Sequence, residues 1–357
     1  MAFFTKERSF YKTFISLWGV LVLNNVIVLG VNLADNIMLG AYSEPALSGA
    51  AACNQLQFIF QQVIFGLGNT AVLLGSQYWG EKKLKPIKNI AASALICGVL
   101  FSLVLFILTS AFPYQTVGIF TKSEVIKQQG VEYLSVIKYT YPVFAVTNIL
   151  LACLRSVESV KIGFRVSVMT LIVNISLNYV LIFGKLGLPR LGVEGAAIAT
   201  VTARFVELAI LVFWTHLNQK RCPFIVGALR SLYIPAKLVA RITVRGLPLM
   251  MNEFLWALGV TVTNQCYSTR GLDALAAINI ASTINNLFSI VFLSMGSVIA
   301  IIVGNQLGAG ETEKAQDTDR KLIALSFTSA VVMAIMLIGF APIFPLFYNT
   351  TQSVRSL

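Results

Sequence analysis

The sequence predicts an all-α polytopic membrane protein, and three observations lead to that fold class. Apolar residues make up 57% of the 357 positions and charged residues only 12%, which is too few for an ordinary water-soluble surface. The apolar residues form long continuous stretches, whereas a transmembrane β-barrel would show short alternating segments. Several stretches reach the roughly 20 residues that a helix needs to cross a bilayer. The bilayer is therefore the expected solvent of this chain.

Nine stretches have the length and apolar content of a membrane helix. They occupy 14–36, 46–78, 90–112, 133–154, 164–183, 193–216, 247–267, 272–304 and 322–347. The second and the eighth are longer than one span, so we expect them to tilt or to extend beyond the bilayer.

The basic residues predict the orientation of the chain. If the N-terminus is cytoplasmic, most Lys and Arg residues fall on the cytoplasmic side, as in the run 82–88 after the second helix. Cytoplasmic loops of membrane proteins carry such an excess. The net charge of +12 therefore does not indicate a nucleic-acid partner. We expect a multi-pass protein of the cell (inner or cytoplasmic) membrane with a cytoplasmic N-terminus.

Several functional classes are disfavoured by the residue types present. The five cysteines show no CxxC spacing and His216 is the only histidine, so neither a disulfide scaffold nor a histidine-rich metal site is expected. The chain has no GxxxxGK[ST] phosphate loop, so it is not expected to contain an ATP-driven pump. We expect no enzyme activity, no cofactor and no obligate protein partner.

An internal repeat relates the first two predicted helices to the seventh and eighth. A shift of 229 positions, the difference between Gly304 and Gly75, aligns them without a gap. Three landmarks then coincide, namely Leu29-Gly30-Val31 with Leu258-Gly259-Val260, Glu44 with Asp273, and Gly75-x-Gln77 with Gly304-x-Gln306. Six helices, an even number, separate equivalent points, so the two halves are expected to be parallel repeats about an axis along the membrane normal.

The repeat predicts a division of the chain into three parts. Residues 1–220 form an N-lobe of six transmembrane helices, 221–245 a cytoplasmic amphipathic linker, and 246–357 an incomplete C-lobe of three transmembrane helices. In the linker, Lys237, Arg241 and Arg245 share one helical face, which indicates an interfacial helix; a plain solvated basic linker is the alternative. Since a second half of six helices is expected, we interpret the chain as truncated, with a genuine short protein as the other possibility.

Polar residues recur on single faces of four predicted helices. They are Asn24, Asn25, Asn32, Asp35 and Asn36 in the first helix, Asn54, Gln55, Gln57, Gln61, Gln62 and Asn69 in the second, Asn174 and Asn178 in the fifth, and Thr200, Arg204 and Glu207 in the sixth. Such groups are costly in a membrane unless they face a partner or a wet cavity, so these faces are expected to line a cavity. The alternative is hydrogen bonding between helices, with Arg204 simply neutralising Glu207.

The seventh predicted helix has an acid and an amide on one face, Glu253 and Asn264. Their repeat equivalents are Asn24 and Asp35, so each half carries one acid and one amide at the same two levels, with the levels exchanged. A carboxylate in a cavity of low dielectric can bind a sodium ion or hold a proton. We favour this interpretation for both acids. A buried structural carboxyl remains the alternative for Glu253, and a solvated residue at a helix end for Asp35.

Four short motifs resemble those of multidrug and toxic compound extrusion (MATE) transporters. They are ADNIMLG at 34–40, GSQYWGEKK at 75–83, LPLMMNE at 247–253 and GNQLGAGE at 304–311, and the resemblance covers the whole chain. It implies a two-lobe helical bundle of six plus six helices around a central cleft, of which this chain holds six plus three. It also implies export of cationic drugs in exchange for sodium or protons.

The resemblance further implies the roles of single residues. Asp35, Asn174, Asn178 and Thr200 would form the cation or proton site of the N-lobe, and Glu253 would contribute a cation site in the C-lobe. A sodium ion is expected at Asp35 or at Glu253. Asn178 stands where many prokaryotic members have an aspartate.

The expected function is secondary active multidrug efflux by Na⁺- or H⁺-coupled antiport of cationic amphipathic compounds. A lipid-linked oligosaccharide flippase of related architecture is the alternative, and a strongly basic cavity would favour it. A non-transporting receptor is a third class, which would need no buried acids. The residues expected to line the cavity or to bind substrate are Asn24, Asn32, Gln57, Gln61, Arg204, Glu207 and Asn264.

Overall fold

The computed structural model describes residues 7–219, 221–222, 224, 236–268, 270 and 272–340. Within these ranges the chain forms eleven α-helices and no strand. They are α1 (Arg8–Tyr42), α2 (Glu44–Gly80), α3 (Leu84–Ala111), α4 (Pro113–Gly118), α5 (Glu124–Ile137), α6 (Thr140–Ser156), α7 (Lys161–Phe183), α8 (Gly192–Leu217), α9 (Ala236–Ser268), α10 (Leu272–Gly308) and α11 (Thr312–Phe340). The prediction of an all-α fold is confirmed.

Each predicted membrane helix has a counterpart in the structure, but the fourth is broken. α5 and α6 together cover the predicted helix 133–154 and are bent by 54° relative to each other. Pro142 explains the break, because proline has no N–H to donate to the carbonyl of Lys138 and its ring collides with that carbonyl. The short helix α4 was not predicted. The end of the ninth predicted helix, 341–347, lies outside the described residues.

Seven helices in the described ranges are long and apolar enough to cross a membrane, and the bent pair α5 and α6 would add an eighth. These seven are α1, α2, α3, α7, α8, residues Phe288–Gly308 of α10 and residues Thr312–Gly339 of α11. α9 is not among them, because Pro248, Asn252 and Glu253 lower its hydropathy. The protein is therefore a multi-pass membrane protein.

The predicted linker 221–245 overlaps the start of α9. This helix begins at Ala236 and continues without interruption through Arg245 to Ser268, so the last ten linker positions, 236–245, belong to the helix that carries Glu253. Residues 225–235 lie outside the described residues. The division into N-lobe, linker and C-lobe remains a prediction; below, α1–α8 are called the first half and α9–α11 the second half.

Large apolar side chains remain exposed along α3 and α11, among them Leu100, Ile107, Phe327, Ile335 and Ile338. Contiguous exposed apolar surface of this kind is unusual in soluble proteins. In a bilayer it meets lipid tails that are equally apolar, so it needs no protein cover. The two helices are therefore expected to face lipid.

The first half is held together by apolar packing around α2. Phe60, Ile64 and Leu67 of α2 pack against Tyr141 and Phe144 of α6 in one core cluster. A second cluster joins the start of α2 to α5 and α8. α2 thereby forms the central helix of the half, and its opposite face remains available for contact with α9 and α10.

The two halves approach most closely where α2 and α10 end. A Cβ atom added at Gly304 would overlap the hydroxyl of Ser76, and one added at Gly308 would overlap the backbone carbonyl of Gln77. Only glycine permits such an approach between helix backbones. Ser76 and Gln77 belong to the first of the two repeated motifs and Gly304 opens the second, so the structure packs the repeat motifs against each other.

Candidate functional site

A cavity of about 450 Å³, here called the large cavity, lies between α1, α2, α7 and α8, with one residue each from α5 and α10. Its α1 wall is formed by Asn32, Asp35 and Asn36, which are three and four positions apart and so share one helical face. Its α2 wall repeats this spacing, with Asn54, Gln57, Phe58 and Gln61. The polar faces that helical periodicity predicts for α1 and α2 thus line the same cavity.

The structure joins the four residues predicted for the cation site of the first half in one hydrogen-bonded chain. The amide nitrogen of Asn178 donates to the carboxylate of Asp35 and, at 3.1 Å, to the amide oxygen of Asn174. The amide nitrogen of Asn174 donates to the hydroxyl of Thr200 at 3.3 Å. Asn174 and Asn178 are one turn apart on α7 and are almost completely buried, at 1% and 0% exposed.

One oxygen in this cluster has no hydrogen bond within the described part of the chain. The amide oxygen of Asn178 is fully enclosed and unpartnered, although a buried polar group without a partner costs about 1–3 kcal/mol. Together with the oxygens of Asp35, Asn174 and Thr200 it forms a set of carboxylate, amide and hydroxyl oxygens. Hard cations prefer oxygen ligands of these kinds. The cluster therefore suits a small hard cation such as Na⁺, or a proton held on Asp35.

A second charged group in the large cavity is an ion pair on α8. A guanidinium nitrogen of Arg204 lies 2.8 Å from a carboxylate oxygen of Glu207, whose side chain is 5% exposed. The guanidinium carbon also lies 5.3 Å from the ring centroid of Phe144, within cation–π range. A buried carboxylate requires such a partner. Arg204 thus neutralises Glu207, and Asp35 remains the unpaired charge among the residues that line this cavity.

The other predicted lining residues are distributed unequally. Gln57 and Gln61 line the large cavity together with Asn32. Asn24 lines an adjacent small cavity of about 130 Å³, where its amide oxygen accepts a hydrogen bond from Ser167 at 2.6 Å. Asn264 lines neither of these two cavities.

Glu253 lies apart from the Asp35 cluster. It projects from α9, partly exposed, and accepts a hydrogen bond from the amide of Asn69 on α2 at 3.3 Å. It is absent from the lining of both cavities. The hydrogen bond between Asn69 and Glu253 thus links the two halves.

Several lining residues of the large cavity were not predicted, and some carried a signal. Ser167 and Thr170 precede Asn174 on α7 at helical spacing, so they continue its polar stripe. Asn286 of α10 is 229 positions after Gln57 and is therefore its repeat equivalent; both line this cavity. Tyr133 of α5, which is 5% exposed, and Phe58 had no such signal.

Among the described residues, no group of three or more His, Cys, Asp and Glu side chains could hold a metal ion. Transition metals are usually bound by groups of this kind. The candidate site in the first half is instead one carboxylate surrounded by neutral oxygens, and such a set is typical of exchangeable hard cations.

Comparison with known proteins relates both the sequence and the fold to transporters. The MatE family model matches residues 21–180 and 248–357. A "Probable multidrug resistance protein NorM" from Thermotoga maritima is 28% identical over 335 residues, which are 93% of this chain and 71% of that protein. A "Probable multidrug resistance protein YoeA" from Bacillus subtilis is 22% identical, with 90% of this chain and 70% of that protein covered.

Two solved structures show the same helical architecture. A transporter of the MOP superfamily from Pyrococcus furiosus superimposes with a TM-score of 0.85 at 19% identity, covering 96% of this chain and 75% of that one. A mutant of a Vibrio cholerae MATE transporter superimposes with a TM-score of 0.86 at 18% identity, covering 98% of this chain and 77% of that one. The family match spans well over half of the sequence and confirms the resemblance noted in its motifs. The chain therefore belongs to the MATE family, whose members are transporters and not enzymes.

Proposed function

We propose that this protein is a secondary active multidrug efflux transporter that exchanges Na⁺ or H⁺ for cationic amphipathic compounds. The observation that carries the proposal is the Asp35 cluster, a single carboxylate set among buried neutral oxygens and facing the large cavity. The names of the relatives from Thermotoga maritima and Bacillus subtilis support multidrug export. The protein would act in the cell membrane with its N-terminus in the cytoplasm.

The charge of the large cavity supports a cationic cargo. Its described lining contains three charged side chains, of which Arg204 and Glu207 are paired, so Asp35 leaves the space with a net negative charge. Phe58 and Tyr133 add aromatic surface, which binds organic cations by cation–π and apolar contact. The cationic cargo and the coupling ion, a proton or Na⁺, would compete for the negative charge of Asp35. This competition is the basis of exchange.

Access from one side at a time is supported by where the halves meet. The large cavity lies beside residues 54–61 of α2, whereas the tight contacts with α10 lie at residues 76–80, about 20 Å further along the helix. At that closed end the hydroxyl of Ser76 donates to the carbonyl of Ala300 at 3.2 Å. Exchange would require these contacts to open while the opposite end closes, by rocking of one half against the other.

The test is ethidium efflux from vesicles that contain the full chain, under an imposed sodium or proton gradient. We expect efflux to follow one of the two gradients and to be abolished by Asp35→Asn, which keeps the size of the side chain and removes its charge. Glu194→Gln is the matched control, because Glu194 is an exposed carboxylate in the first turn of α8 that lines neither cavity. Efflux that persists without either gradient would refute the coupling.

The flippase alternative predicts a strongly basic cavity to receive an anionic lipid headgroup. In the described lining of the large cavity, Arg204 is the single basic residue, and it is engaged by Glu207. This charge balance favours the cationic cargo, so the flippase is not our proposal.

A further inference from the structure

The small cavity extends from the large one towards the closed end of the bundle. The two cavities share Val28, Asn32, Gln61, Ser167 and the ion pair of Arg204 and Glu207. Beyond these shared residues, both halves of the chain line the small cavity, with Asn148, Arg155 and Ser159 from the first half and Ser294 and Ser297 from the second. The small cavity thus lies at the interface between the two halves.

Arg155 is the unusual residue of the small cavity. It lies one position before the end of α6, and its Nε atom is fully enclosed without a hydrogen-bond partner. None of the ion pairs found in the described part of the chain involves it. A guanidinium is always charged, carries five N–H donors and is costly to bury unpaired. On α2, a Cβ atom added at Gly68 would lie 3.9 Å from one of its terminal guanidinium nitrogens.

The two cavities therefore differ in the sign of their charge. In the small cavity Glu207 is neutralised by Arg204 at 2.8 Å, which leaves Arg155 as an uncompensated positive charge among amide and hydroxyl groups. In the large cavity the uncompensated charge is Asp35. A ligand that reaches the small cavity meets a donor-rich, positive environment.

We propose that the small cavity is an anion subsite in which Arg155 binds a carboxylate group. The planar fork of a guanidinium matches the two oxygens of a carboxylate, and this pairing is stronger than a neutral hydrogen bond. The volume of about 130 Å³ holds a carboxylate and a few atoms, not a whole drug molecule. The carboxylate belongs either to a zwitterionic cargo whose cationic part occupies the large cavity, or to a small free anion. The first source rests on the proposed function; the second does not.

The test compares two dyes that differ only in a free carboxylate, rhodamine B and its ethyl ester. Binding to the purified full chain in detergent is followed by fluorescence anisotropy, without any gradient. We expect wild-type protein to bind rhodamine B roughly tenfold more tightly than the ester, as a charge-assisted hydrogen bond provides. Arg155→Gln should remove this preference and leave the affinity for the ester within about twofold. Arg155→Lys should retain part of it, because the charge remains without the planar fork.

Arg165→Gln on α7 is the matched control, since Arg165 is exposed and lines neither cavity. The source of the anion is separated by adding sodium acetate. If acetate displaces rhodamine B and leaves the ester bound, the subsite accepts a free carboxylate; if only the preference for the free-acid dye is seen, the carboxylate is carried by the cargo.

Equal affinity of wild-type protein for the two dyes, with no competition by acetate, would overturn the proposal even if a variant failed to fold. The efflux test does not depend on this result, because ethidium has no carboxylate. A failure of the anion subsite is therefore distinguishable from a failure of the transport function.

Discussion

Gly308→Ala should force open the end of the bundle where α2 and α10 meet. The added methyl would overlap the oxygen, the carbonyl carbon and the Cα atom of Gln77, all of them backbone atoms that cannot rotate away. Overpacking of this kind costs about 1–3 kcal/mol, which corresponds to a shift of roughly 5- to 150-fold between two conformations. Because the contact lies between the halves, the strain is relieved by their separation.

The assay is the distance between spin labels at Lys85 in the first half and Glu313 in the second, both of them exposed. We expect Gly308→Ala to lengthen this distance, and Gly296→Ala to leave it unchanged. Gly296 lies on the same helix, and apart from its own stretch of helix no atom of the described residues lies within 4 Å of the position of its added methyl. Identical distance distributions for wild type and Gly308→Ala would refute the idea that close glycine packing holds this end shut.

Three further predictions concern the site and the fold. Asn178→Ala removes the amide that donates to Asp35, so the sodium or proton concentration for half-maximal ethidium efflux should change roughly tenfold, measured over stepped sodium and pH. Glu207→Ala leaves Arg204 unpaired and should lower the thermal unfolding midpoint by the equivalent of about 3 kcal/mol, whereas Arg204→Gln with Glu207→Gln should recover most of it. Pro142→Ala restores a backbone donor, so the 54° bend between α5 and α6 should narrow, measured by spin-label distances across it.

Much of the candidate site could be predicted because helical periodicity is a local property. Side chains three and four positions apart share a face, so the polar stripes of α1, α2 and α7 were visible before any packing was known. A bilayer then turns such stripes inward. The roles given to Asp35, Asn174, Asn178 and Thr200 came from the family resemblance; the structure adds that the four are connected, and their function stays a prediction.

Other features were present in the sequence but were not recognised. Asn286 follows from the repeat once Gln57 is taken as a lining residue. Pro142 stood inside a predicted helix, and proline in that position breaks the hydrogen-bond ladder. The length of α9 was not inferred, because Lys237, Arg241 and Arg245 on one face of its first turns indicated an interfacial helix separate from the membrane helix.

The sequence by itself determined that this chain is a helical membrane protein with polar faces directed inward, because lipid forces every backbone group to find its partner within the same helix. The partners of the buried side chains were decided by the tertiary structure alone. Glu253 bonds to Asn69 on α2, and Arg155 lines the small cavity without an ion pair among the described residues. These contacts depend on how helices that are far apart in the chain are rotated and shifted, by a few ångströms, against each other. Helical periodicity contains no information about such movements.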